Sequence, residues 1–164
     1  MLSCDSQPIF MGSSYINVCV HIIFHTKNTS CSMRECDLSR IFHYIGGTIR
    51  SLSGYVCRVG GRPDHIHILT SLPPTLSIAD FVRKIKSNSS KWIKNLHESY
   101  CNFSWQEGYG IFSVSESNKE MVIHYIEHQK EHHEKRSANE EFILFLKRNG
   151  ILSTGKSTED TSKK

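Results

Sequence analysis

The sequence lacks the patterns that are typical of disulfide-stabilised, secreted and membrane-spanning proteins. Its six cysteines form no Cys-x-x-Cys pair, and no apolar run approaches the roughly 20 residues that a membrane span needs. The N-terminus has neither the basic start nor the clean apolar core of a signal peptide, because Asp5, Gln7 and Pro8 interrupt it. These absences predict reduced thiols, a cytoplasmic location and no membrane partner.

The composition describes one mildly basic globular domain. The chain has 164 residues, of which 38% are hydrophobic, and a formal net charge of +4. This length allows a buried core, and the charge permits a nucleic-acid partner without requiring one. We expect the domain to cover residues 14–151, between a flexible N-terminus of residues 1–13 and a disordered tail of residues 152–164.

Apolar periodicity predicts an alternation of strands and helices. Runs rich in β-branched and aromatic residues indicate strands at 15–25, 55–59, 65–70 and within 105–114. Helical spacing marks 37–52, 77–100, 140–148 and a helix from about 118, where Ser117 and Glu120 form a capping box. This order predicts an α+β ferredoxin-like sandwich, an antiparallel sheet with helices on one face, plus a C-terminal helix that carries Tyr125.

Two histidines stand out in the turn and strand at residues 60–69, Gly-Gly-Arg-Pro-Asp-His-Ile-His-Ile-Leu. Side chains alternate along a strand, so His65 and His67 share one face and lie about 7 Å apart. Two imidazoles at that spacing can both lean onto a single cation. The alternative is that they are two polar residues on a solvated strand face.

A second candidate group lies on the helix that follows residue 118. Tyr125 and Gln129 are four residues apart and therefore share a helix face. If this helix packs over the histidine strand, Gln129 can supply a third ligand to a Lewis-acidic ion, and Tyr125 can attack a phosphorus atom in line. Such ligands suit Mn²⁺ at least as well as Mg²⁺. The alternative is a tyrosine that packs its ring in the core and exposes its hydroxyl.

The longest predicted helix, residues 77–100, combines an apolar stripe with basic side chains. The stripe runs from Ile78 to Leu96 at helical spacing. The basic side chains that lie off it are Arg83, Lys86, Lys91 and Lys94. They are either a solvated helix face or a set of contacts to DNA phosphates.

Several motifs occur in a particular order along the chain. They are Val59-Gly-Gly-Arg-Pro-Asp-His-Ile-His-Ile-Leu69, Leu72-Pro-Pro, Lys86-Ser-Asn-Ser-Ser-Lys-Trp-Ile93, Trp105-Gln-Glu-Gly-Tyr-Gly-Ile-Phe-Ser-Val-Ser115 and Tyr125-Ile-Glu-His-Gln-Lys-Glu-His-His133. Over roughly residues 15 to 151, the chain closely resembles the IS200/IS605-type transposases, the single-tyrosine (Y1) members of the HUH (His-hydrophobic-His) nuclease superfamily. One departure is Thr29, where the family usually has an arginine, and this puts one phosphate contact in doubt.

The resemblance implies a DNA transposase with a ferredoxin-like fold. It implies that Tyr125 nicks single-stranded DNA at mobile-element ends and leaves a 5′-phosphotyrosine and a free 3′-hydroxyl, which later rejoins strands. It implies that His65, His67 and Gln129 bind a divalent metal, Mg²⁺ or Mn²⁺. It further implies recognition of DNA hairpins near the element's ends, and a homodimer in which each tyrosine helix can serve the partner's histidines in trans.

Other functions remain open at this point. One is a domesticated relative that processes repeated palindromes, and another is a non-catalytic protein that binds DNA hairpins. A small-molecule metal hydrolase would leave the pair formed by Tyr125 and Gln129 unexplained. The complete set of motif residues favours catalysis, and we therefore predict an enzyme.

Overall fold

The computed structural model describes residues 16–28 and 32–129, and in this part of the chain four strands form one sheet. The strands are β1 (Cys19–His25), β2 (Val56–Arg62), β3 (His65–Ser71) and β4 (Gly110–Ser113). The α-helices described there are α1 (Leu38–Ser51), α2 (Ile78–Lys94) and α3 (Lys119–Glu127). The strand order is β2-β3-β1-β4, and each neighbouring pair is antiparallel. This topology confirms the predicted ferredoxin-like α+β fold.

One face of the sheet carries the main apolar core. Alternate residues of β1 (Val20, Ile22 and Phe24) and of β3 (Ile66 and Ile68) are buried on this face. The helix residues that pack against them are Ile41, Ile45, Ile49, Phe81, Val82, Ile85 and Ile93. Because these side chains form one contiguous cluster, they hold α1 and α2 on the same side of the sheet.

The opposite face of the sheet is covered by α3. Ile126 packs there against Cys19 and Leu69, which alternate along their strands with residues of the main core. A Cβ atom added at Gly60 would lie 2.6 Å from Cγ2 of Ile126, so glycine at this position lets α3 lie directly on β2. The tyrosine-bearing helix is therefore across the sheet from α1 and α2.

The ends of the first two strands differ from the prediction. β1 begins at Cys19, and Ile16 and Val18, which were predicted within this strand, precede it and are exposed; residue 15 lies outside the described residues. β2 continues beyond residue 59 because Gly60 and Gly61, predicted as a turn, both pair with β3. The turn between β2 and β3 is therefore shorter than the sequence indicated.

The helix boundaries differ as well. Ile78, predicted on the buried stripe of α2, is 43% exposed, and Phe81 is fully buried in its place. α2 ends at Lys94, before the predicted end at residue 100. The predicted capping box does not form, because the N-cap residue of α3 is Asn118, which makes no side-chain cap hydrogen bond, and Ser117 lies in a short 3₁₀ turn that precedes α3.

Some predictions concern parts of the chain that the structure does not describe. The terminal segments at 1–13 and 152–164, the domain end at residue 151 and the helix at 140–148 lie outside the described residues. Among the residues that are described, no helix is both long enough and apolar enough to cross a membrane.

Candidate active site

β3 buries both motif histidines on the face that α3 covers. His65 and His67 are 1% and 2% exposed, and their ring centroids lie 5.0 Å apart. The backbone that leads to them requires glycine at Gly61, where φ is 146° and an added Cβ would overlap the carbonyl oxygen of His65. The alternative of two histidines on a solvated face is therefore wrong.

The two ring nitrogens of His65 face different groups. Nδ1 lies 2.7 Å from Oδ1 of Asp64, and Nε2 lies 3.2 Å from Oε1 of Gln129. Because a carboxylate only accepts hydrogen bonds, we assign the proton to Nδ1, which donates it to Asp64. In the neutral ring, Nε2 then presents a lone pair toward Gln129.

The amide of Gln129 is oriented with its oxygen toward His65. Its Nε2 donates to the backbone carbonyl of Tyr125 at 3.2 Å, which only the NH₂ end of the amide can do. The residue is buried, so the amide oxygen and Nε2 of His65 direct their lone pairs into the same space. Two acceptor atoms in this arrangement are suited to share one cation.

Tyr125 lies next to His67 of the same chain. Its side chain is half-buried, and its ring meets the ring of His67 edge to face, with the centroids 5.5 Å apart. The structure thus brings together the side chains that the sequence placed at one site, which are Tyr125, His65, His67 and Gln129.

A third histidine, His21 on β1, adjoins this cluster and was not predicted. It is fully buried, and its Nε2 lies 3.0 Å from Nδ1 of His67. Burial lowers the pKa of His21 to about 3, so its ring is neutral at pH 7. Side-chain alternation puts the odd-numbered residues of β1, including His21, on one face of the sheet. The antiparallel register sets Ile23 opposite His67, so this is the face of the motif histidines.

Most of the chain matches a known protein family. The model of a family described as IS200-like transposases matches residues 14–129. The chain belongs to the IS200-like transposase family. It is also similar to the ISDra2 transposase TnpA of Deinococcus radiodurans, with 35% identity over 72 residues, which are 41% of this chain and 51% of the relative. The match thus spans about half the length of this curated relative.

Two solved structures share the fold of this family member. One is a crystal structure of a protein from Deinococcus radiodurans R1 described as a candidate transposase, with a TM-score of 0.55 and 21% identity over 73% of this chain and 96% of that one. The other is a REP-associated tyrosine transposase bound to a REP hairpin, with a TM-score of 0.55 and 16% identity over 74% of each chain. At sequence identities of 21% and 16%, the similarity shows a shared fold and nothing more.

The basic helix of this family member lies across the sheet from the histidines. α2 packs on the main apolar core, whereas the histidines face α3. The side chain of Arg83 is 70% exposed and forms an ion pair with Asp80 at 2.7 Å, and Lys91 and Lys94 are exposed. The structure therefore does not place these basic side chains beside Tyr125.

Lys86 differs from the other basic residues of α2. Its ammonium donates to the backbone carbonyl oxygens of residues 106, 107 and 108 at 2.6, 3.1 and 3.0 Å. Partial burial lowers the pKa of Lys86. Lys86 therefore holds the loop that leads to β4, and its charge is directed toward the protein.

The donor atoms of the candidate site fit a hard or borderline divalent cation. Within residues 16–28 and 32–129, no group of three or more His, Cys, Asp or Glu side chains is placed to hold a metal. The candidate ligands are instead two imidazoles, from His65 and His67, and the amide oxygen of Gln129. Nitrogen and oxygen donors of this kind are compatible with Mg²⁺ and Mn²⁺, and IS200-like transposases generally need a divalent metal.

Proposed function

We propose that this chain is a metal-dependent DNA transposase that nicks and rejoins single-stranded DNA at the ends of a mobile element. The observation that carries this proposal is the phenol ring of Tyr125 beside buried imidazoles and the amide oxygen of Gln129. Membership of the IS200-like transposase family and similarity to the ISDra2 transposase support it.

Tyr125 is the proposed nucleophile. Its Oη attacks a DNA phosphorus atom in line and the phenolic proton leaves to solvent. The bond from phosphorus to the 3′ oxygen breaks, and that oxygen takes up a proton from solvent. The products are a 5′-phosphotyrosine link and a free 3′-hydroxyl, so the ester is exchanged and not hydrolysed. In the rejoining step a 3′-hydroxyl attacks the phosphotyrosine, a new phosphodiester forms and Tyr125 leaves as the phenol.

The proposed ligands for Mg²⁺ or Mn²⁺ are Nε2 of His65, Nε2 of His67 and Oε1 of Gln129. When bound, the cation supplies positive charge that stabilises the negative charge developing on the scissile phosphate. The protein contributes orientation. Asp64 accepts a hydrogen bond from Nδ1 of His65, and the carbonyl of Tyr125 accepts one from the amide of Gln129.

The proposed nucleic-acid partner is single-stranded DNA with hairpins near the element's ends. One solved structure of this fold is a transposase bound to a REP hairpin, and this chain has a formal net charge of +4. Exposed Arg83, Lys91 and Lys94 on α2 are the proposed contacts to DNA phosphates. Lys86 contributes by holding the adjoining loop.

We also propose a homodimer in which the tyrosine helix acts in cis or in trans. Within one chain, Tyr125 already adjoins His67, so one chain carries both halves of the site. Exchange of α3 between two copies would place Tyr125 on the partner's histidine face through the same contacts. A mixture of a Tyr125→Phe chain and a His67→Ala chain recovers cleavage only if α3 acts in trans.

The test of the proposed function is a covalent-adduct assay. Labelled single-stranded DNA from the flanks of the gene is incubated with the protein and Mg²⁺, Mn²⁺ or a chelator. We expect a denaturant-resistant adduct that requires the metal and is absent from Tyr125→Phe. Tyr55→Phe is the matched control, because Tyr55 is 72% exposed and should retain the adduct.

Other outcomes of this assay identify the alternatives. A tight complex that forms no adduct in metal would indicate a non-catalytic hairpin-binding protein. An adduct with repeated palindromes elsewhere in the genome, and none with the flanks of the gene, would indicate a domesticated relative. An adduct that survives Tyr125→Phe would exclude Tyr125 as the nucleophile.

A further inference from the structure

β1 supplies a buried imidazole to which the proposed chemistry assigns no role. His21 is fully buried, and its Nε2 lies 3.0 Å from Nδ1 of His67. The two rings are stacked, with centroids 5.1 Å apart and an interplanar angle of 30°. His21 therefore touches a proposed metal ligand through one ring nitrogen and restricts the orientation of that ligand's ring.

The chemistry of imidazole determines what this contact does when a cation is bound. A neutral imidazole that gives the lone pair of Nε2 to a metal carries its proton on Nδ1. Nδ1 of His67 must then donate a hydrogen bond, and Nε2 of His21 lies at hydrogen-bonding distance from it. The other motif histidine, His65, shows the same arrangement, because its Nδ1 faces the carboxylate of Asp64 at 2.7 Å.

We infer that His21 is a positioning residue that holds His67 in the Nδ1–H tautomer and leaves Nε2 of His67 available to the cation. This inference rests on the proposed function, since it concerns the same metal site. His21 acts through His67 and does not itself bind the metal or the DNA. Hydrogen-bond partners of this kind typically change metal affinity by about 10- to 100-fold when they are removed.

A purely structural role for His21 makes a different prediction. If His21 only fills space beneath α3, its replacement would lower the melting temperature and leave metal affinity and the tautomer of His67 unchanged. His21→Phe keeps the ring and its stacking but removes the acceptor, so Nδ1–H of His67 loses this hydrogen bond. His21→Gln is the matched rescue variant, because its amide oxygen can reach nearly the same position as Nε2 of the histidine.

The first experiment measures Mn²⁺ affinity of the full chain without DNA, by the electron paramagnetic resonance signal of free Mn²⁺. We expect His21→Phe to weaken binding by about 10- to 100-fold and His21→Gln to recover most of that loss. Thermal melting of each variant shows whether it is folded under the conditions of the titration. A folded His21→Phe that binds Mn²⁺ as tightly as the original chain would overturn the inference.

A second experiment uses the unmodified chain, so it does not depend on a variant that folds. Long-range ¹H–¹⁵N spectra of the Mg²⁺-loaded protein report the protonation of each histidine nitrogen. We expect the proton of His67 on Nδ1 and an acceptor at Nε2 of His21. A proton on Nε2 of His67 in the loaded protein would overturn the inference.

The failure of the inference and the failure of the proposed metal site give different results. If the original chain binds no Mn²⁺, or if His67→Ala binds it equally well, the metal site is wrong and the inference falls with it. If His67→Ala loses binding and folded His21→Phe does not, the metal site stands and only the role of His21 is wrong.

Discussion

The two faces of the sheet differ in chemistry although the same strands build both. Along β3, His65, Ile66, His67 and Ile68 are all buried, yet the isoleucines enter the apolar core under α1 and α2 and the histidines face α3. Each fully buried isoleucine contributes about 1.5–3 kcal/mol of hydrophobic free energy. A buried imidazole instead costs free energy unless it is hydrogen-bonded.

The face under α1 and α2 therefore contributes mainly stability, and the face under α3 carries the candidate site. On the α3 face, the buried histidines have hydrogen-bond partners, as in the contacts of His21 with His67 and of His65 with Asp64. The buried apolar cluster on that face is small, with Cys19, Leu69 and Ile126 at its centre. We infer that the main core stabilises the sheet and that α3 is placed mainly to complete a reactive site.

The largest expected effect on function comes from the polar face. His67→Ala should abolish metal-dependent cleavage, because it removes a ligand, while the main core stays intact and the chain remains folded. Adduct formation in Mn²⁺ and thermal melting measure the two properties separately. His43→Ala is the control, because His43 is exposed on α1; unchanged cleavage by His67→Ala would end the assignment of the metal site.

The neighbouring residue tests the apolar face. Ile68→Ala should lower the free energy of unfolding by about 2–5 kcal/mol, because it leaves a cavity in the main core. We expect Mn²⁺ affinity of the folded fraction to change little. The milder Ile68→Val should cost about 0.5–1.5 kcal/mol. Urea unfolding measures both values, and a selective loss of metal binding in Ile68→Ala would contradict the separation of the two faces.

A glycine tests the contact between the sheet and α3. In Gly60→Ala, the new Cβ would meet Cγ2 and the carbonyl oxygen of Ile126 at 2.6 and 3.0 Å, so α3 must shift. We expect a destabilisation of about 1–3 kcal/mol and a larger proportional loss of adduct formation. The control is Gly108→Ala, where nothing lies within 4 Å of the added atom. Equal activity of the two variants would show that α3 does not need its close approach to β2.

The smallest expected effect concerns two lysines on one helix. Lys91 is exposed, so Lys91→Gln should remove about one phosphate contact. The slope of the logarithm of the DNA-binding constant against the logarithm of the salt concentration should then become shallower by about one unit. Lys86→Gln should change that slope less and destabilise the loop at 106–108, whose carbonyls Lys86 binds. Hairpin-DNA binding at several salt concentrations measures both slopes. An unchanged slope in Lys91→Gln would mean that its helix face is only solvated.

The sequence predicted those features that depend on local periodicity. Alternation in β3 put His65 and His67 on one face. Helical spacing put Gln129 one turn after Tyr125, although α3 ends at Glu127 and Gln129 follows its C-terminus. The role of His21 could not be read in this way, because it depends on the register between β1 and β3, a long-range property. The bonds of Lys86 to a loop of distant residues and the exposure of Ile78 depend equally on tertiary packing.

The proposed function requires that Tyr125 on the α3 face forms a covalent bond to DNA. The most direct measurement is mass spectrometry of peptides from the adduct formed with Mn²⁺. We expect one modified peptide, with a DNA 5′-phosphate on Tyr125 and a free 3′-hydroxyl on the released strand. A phosphate on another residue, or a link through the 3′ end of the DNA, would contradict it.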